Sequence, residues 1–171
     1  SESTCQKCFS GKYLDTEGND LATDCIECAA GKFSGIAGAT SMDACQPCPS
    51  GKYSTMVGAN SISACQDCGA GKYLASEGND DESDCSVCPS GKYGEDVGAS
   101  SEDVCQDCAA GKYLQSQGND ASSDCVSCEA GKYSPQHGAV NQGTCQACGA
   151  GKYSTAGATQ CTQCTAGTFS T

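Results

Sequence analysis

The chain has 171 residues, including 18 Cys and 22 Gly, with no Trp, no Arg and a net charge of −12. Leu, Ile, Val and Phe together number 16, too few for an uncrosslinked chain of this charge to offset its conformational entropy by burying apolar surface. Nine Lys are the only strong cations, which argues against a nucleic-acid partner, and no apolar run approaches the ~20 residues of a membrane helix.

From the N-terminus, Cys5 and Cys8 open a unit that recurs along the chain. Cys-x-x-Cys pairs stand at 5/8, 25/28, 45/48, 65/68, 85/88, 105/108, 125/128, 145/148 and 161/164, with a step of 20 residues that shortens to 16 at the last pair. A turn glycine follows three residues after the second cysteine (Gly11 in the first unit), and a loop glycine seven residues later (Gly18). Periodic glycine marks backbone that needs a positive φ or a close approach, and Gly-Asn-Asp at 18–20, 78–80 and 118–120 is turn chemistry. The stretches between glycines are too short for helices. The pattern therefore predicts one continuous array over 1–171 of about nine modules, shortened at 145–160 and incomplete at 161–171. Its fold class is small and disulfide-rich: an elongated, solenoid-like rod of short β-hairpin and turn modules with essentially no α-helix.

One position per module is aromatic: Tyr13, Phe33, Tyr53, Tyr73, Tyr93, Tyr113, Tyr133, Tyr153 and Phe169. These residues form the expected spine, each ring serving as the core of its module with the tyrosine hydroxyl left wet. Eight of the nine Lys precede these aromatics and are read as solvent-facing.

Paired Cys-x-x-Cys motifs also fit four-cysteine zinc sites, but nine pairs leave one over, and a thiol array needs a reducing compartment. Disulfides in an oxidising compartment are the favoured reading, which places the chain outside the cell or at its surface, with no metal assigned. The chain begins at Ser1 and is read as a processed or excised segment. His137 is the only histidine, so no catalytic triad can recur. The Gly-Lys dipeptides lack the rest of a phosphate loop. No cofactor and no enzyme activity are expected. Asp15, Glu17, Asn19, Asp20 and Asp24, and likewise Glu77, Asp80, Asp81, Glu82 and Asp84, offer at most weak Ca²⁺ binding and are read as solvated turns.

The unit Cys-x-x-Cys-x-x-Gly-Lys-Tyr resembles the cysteine-rich modules of tumour-necrosis-factor receptors. It resembles the related ephrin-receptor-like repeats more closely, on the match of Cys25-Ile-Glu-Cys-Ala-Ala-Gly-Lys-Phe. The resemblance implies that the second cysteine of each pair bonds the first of the next: Cys8–Cys25, Cys28–Cys45, Cys48–Cys65, Cys68–Cys85, Cys88–Cys105, Cys108–Cys125, Cys128–Cys145 and Cys148–Cys161. Cys5 and Cys164 are then left over, available for a disulfide between copies. Cys164-Thr-Ala-Gly-Thr-Phe-Ser-Thr reads like Cys148-Gly-Ala-Gly-Lys-Tyr-Ser-Thr, so a following copy would continue the array. The expected function is that of a secreted structural repeat protein, a stalk or filament subunit whose partner is itself, head to tail, or a continuing polypeptide. The alternative is a ligand-binding receptor ectodomain, as the resemblance suggests.

Overall fold

The computed structural model describes residues 5–169. Its regular structure consists of two-residue strands and three-residue 3-10 turns. Among the described residues there are eight two-stranded sheets and no α-helix. The glycine spacing explains this: in the sixth module, for example, the chain enters a turn at Gly111, makes two extended residues, and reverses at Gly118 before a third extended step could repeat.

The chain divides into two compact units. One comprises the described part of Ser1–Cys68 with Tyr73–Ser86 and Gly98–Ser101; the other comprises Gly69–Lys72, Val87–Val97 and the described part of Glu102–Thr171. In the first unit Lys12–Tyr13 pairs antiparallel with Ile26–Glu27, Lys32–Phe33 with Gln46–Pro47, and Lys52–Tyr53 with Gln66–Asp67. In the second, Lys92–Tyr93 pairs with Gln106–Asp107, Lys112–Tyr113 with Val126–Ser127, Lys132–Tyr133 with Gln146–Ala147, and Lys152–Tyr153 with Thr162–Gln163. Hairpins of this length are not stable alone in water. A disulfide closes each one, and the next module covers those in the interior of the array.

Coverage between modules is carried by the backbone. In the first unit Gly31 N–H donates to the Ser54 carbonyl (2.7 Å), Ser34 N–H to Ala59 (3.0 Å), and Gly58 N–H back to Cys28 (2.7 Å). In the second unit the same rung reads Gly111 to Ser134 (2.8 Å), Leu114 to Ala139 (2.9 Å) and Gly138 to Cys108 (2.9 Å). Each further module thus adds three main-chain hydrogen bonds, and the aromatic position makes a parallel bridge to the residue after the next loop glycine, as in Phe33 to Ala59. The turn glycine also serves a packing role. At Gly51 the backbone has φ +82°, and a Cβ would overlap the Gly98 carbonyl, a loop glycine two modules on.

Candidate functional site

The eight cysteine pairs implied by the resemblance are the pairs that the fold brings together. Cys8–Cys25, Cys28–Cys45, Cys48–Cys65, Cys68–Cys85, Cys88–Cys105, Cys108–Cys125, Cys128–Cys145 and Cys148–Cys161 are bonded, with Cα–Cα separations of 5.6–5.9 Å. Those sixteen sulfurs are spent on one another. The second cysteine of the interior pairs, Cys28 through Cys128, is fully buried. Cys5 and Cys164 remain as thiols, the first exposed and the second half-exposed.

The aromatic positions behave differently from a spine that alone makes the core. Tyr53 is buried; most of the other rings are half-buried, and Tyr153 (49% exposed) and Phe169 (83%) lie open. The residue after the aromatic fills the interior instead. Leu74 packs with Tyr53, Cys68 and Cys85 in the first unit, and Leu114 with Cys108, Cys125 and Tyr93 in the second. In four modules that position holds a buried serine, Ser34, Ser54, Ser134 or Ser154, and after Tyr93 it holds the buried Gly94. Alanine after the loop glycine (Ala39, Ala59, Ala99, Ala139) is buried beside it. The signal was in the sequence, as a position that accepts only small or apolar residues, but Ser there reads as surface. The physical reason is size: between layers joined by direct backbone hydrogen bonds, a ring stays partly outside in most modules, while a small side chain fits wholly.

The rings bridge strands. Tyr93 Oη donates to Gln106 Oε1 (3.2 Å) and Tyr133 Oη to Gln146 Oε1 (3.0 Å), each to the residue directly opposite in the hairpin. Three of the preceding lysines do likewise: Lys12 pairs with Glu27 and Lys92 with Asp107, both at 3.1 Å, and Lys52 pairs with Asp67. These pairs are a third to a half exposed, so each contributes little.

Three of the acidic residues singled out for Ca²⁺, Asp24, Asp81 and Asp84, serve as turn caps. Asp24 Oδ2 accepts from Leu21 N–H (3.1 Å), Asp84 Oδ2 from Asp81 N–H (3.2 Å), and Asp81 Oδ1 from Ser83 N–H (2.8 Å). That bond from the Ser83 backbone, with help from the Ser83 hydroxyl, holds the Asp81 carboxyl below the usual aspartate range. Asn19 Nδ2 donates to the Thr16 carbonyl, and His137 is exposed. Phe9, an aromatic outside the periodic position, is 80% exposed. Among the described residues no helix is long and apolar enough to cross a membrane, and no cluster of His, Cys, Asp or Glu is placed to hold a metal ion. Comparison with protein-family models and with curated proteins found no match.

Proposed function

We propose that this chain is a structural repeat segment of the extracellular space, a stalk or filament subunit. One observation carries the reading: what joins module to module is main-chain hydrogen bonding, and what closes each module is covalent. An array held this way tolerates varied side chains and sustains its order without a large apolar core, which suits a spacer. Eight disulfides fit an oxidising compartment outside the cell. Polymerisation is part of the proposal. The Cys164 thiol of one copy and the Cys5 thiol of the next form one disulfide, giving two protons and two electrons to a small-molecule disulfide that departs as two thiols.

Electron microscopy of the oxidised chain, paired with non-reducing gels, tests this. Strands that lengthen with concentration, and a ladder of multimers yielding a Cys5–Cys164 crosslinked peptide, are the expected outcome. Discrete particles that stay monomeric on the gel and bind an extracellular ligand saturably would favour the receptor reading instead.

A further inference from the structure

Independently of the filament reading, we propose that the loops of the second and third modules, in the first unit, form a docking strip for an extended polypeptide segment that is apolar in the middle and basic at both ends.

Five large apolar side chains on these two loops are left in water: Ile36, Met42, Met56, Val57 and Ile62, each 54–57% exposed. The fold does not require them. At the positions of Ile36 and Met56 other modules carry Ser76, Asp96 or Ser116, and at those of Met42 and Ile62 they carry Glu82, Glu102 or Ser122. The chain's two methionines are both among the five, and methionine is an adaptable side chain suited to binding surfaces. An apolar cluster kept in solvent, against the polar pattern of its own repeats, marks an interaction surface.

Register makes the cluster continuous. Phe33 bridges Ala59 in parallel, and Ser34 N–H donates to the Ala59 carbonyl. A Cβ on Gly35 would stand 3.8 Å from the Asn60 carbonyl, so Ile36 runs beside the turn that Ile62 opens. The second unit shows the same step: Ser122 N–H donates to Glu95 Oε1 at 3.4 Å, Glu95 being the equivalent of Gly35 and Ser122 that of Ile62. The same register sets the borders of the strip. Tyr13 bridges Ala39, which lays Asp15–Glu17 beside the turn begun by Met42. Tyr53 bridges Asn79, which lays Met56 beside Asp80–Glu82.

Charge selects the occupant. Asp43 is the only charged residue in 35–44 and 55–64, whereas Asp15, Glu17 and Asp20 stand on one side and Glu77, Asp80 and Asp81 on the other, all exposed. A second copy laid face to face on the apolar loops, in either direction, would set acid against acid, and an anionic lipid surface would be repelled. A segment with Lys or Arg at its ends and apolar side chains between them meets acid with base and apolar with apolar. Its spacing follows from the layers. Layers joined by main-chain hydrogen bonds lie ~4.8 Å apart, so the first and fourth loops are about 14 Å apart. That is about four residues of extended chain, leaving roughly three apolar residues between the basic ones.

The test is a dye-labelled seven-residue peptide, three leucines between two pairs of lysines, titrated with the full chain in fluorescence anisotropy. Saturable binding is expected, with the methyl resonances of Ile36, Met42, Met56 and Ile62 shifting together. A peptide of the same residues with lysines in the middle and leucines at the ends should bind about tenfold more weakly. Ile36→Ser with Ile62→Ser, the residue found at Ser116 and Ser122, should weaken binding about tenfold. Glu17→Gln with Glu77→Gln, the residue found at Gln117, should weaken it roughly threefold at low salt and hardly at all at high salt. Protease resistance reports that the variants keep the fold, and the methyl shifts locate the site without any substitution. Absence of saturable binding, equal affinity for the two peptides, or shifts confined to other loops would overturn the proposal. So would self-association that the double serine variant abolishes, since the occupant would then be a second copy.

Discussion

At the residue scale the turn glycines carry two separate demands, and substitution can tell them apart. Gly51 has φ +82° and faces the Gly98 carbonyl; Gly131 has φ +81° and open space. Gly131→Ala should cost only the left-handed backbone penalty, about 1 kcal/mol. Gly51→Ala must in addition push a layer apart, and should cost about 2–3 kcal/mol more. Denaturant titration of the two variants checks the difference; equal costs would mean that the close approach carries no energy. Asp81 gives a pH signature at the same scale. Its folded pKa is lowered, so its stabilisation of the 3-10 turn is present above the ordinary aspartate value of 3.8 and is lost as pH falls through the lowered one. The Ser83 amide resonance should follow that acid-side titration, and Asp81→Ala should abolish it.

At the element scale the hairpins depend on their bridges. A closed loop of this size contributes about 3 kcal/mol by the chain-entropy account, more than a two-residue strand pair can supply. Full reduction should therefore abolish the fold, read as loss of protease resistance. Replacing Cys68 and Cys85 by Ala should open that hairpin first, with new cleavage between residues 68 and 85. This scale also separates what the sequence made legible from what it did not. Cysteine and glycine carry their constraint in residue type, so the recurrence of Cys25-x-x-Cys28-x-x-Gly31 every 20 residues made the repeated hairpins and the lack of long helices legible. The ladder was not legible. Gly31 to Ser54 and Gly58 to Cys28 are main-chain contacts, made by any residue, and their only trace is the small side chain at Ser34 and Ala59. The aromatic is large and periodic, and most copies of it are half-buried, the setting that suits a ring with a wet hydroxyl.

At the scale of the whole molecule the order of the disulfides fixes the path of tension. A force applied between the chain's ends runs through Cys25 to Cys28, crosses the Cys28–Cys45 bridge, and continues at Cys48; the residues inside each bridge carry none of it. Three peptide steps span about 10 Å when drawn out, and the bridge adds a Cα–Cα distance of 5.6 Å. A 20-residue module can thus reach only about 16 Å while oxidised, against about 68 Å once its bridge is cut. The slack is stored behind sulfur. In an optical trap with a soluble reductant present, the chain should lengthen in discrete jumps of about 50 Å per bridge, with one jump about a quarter shorter from Cys148–Cys161, whose separation is 13 residues rather than 17. Without reductant the same chain should stop lengthening at about 16 Å per module, a limit set by redox chemistry rather than by load.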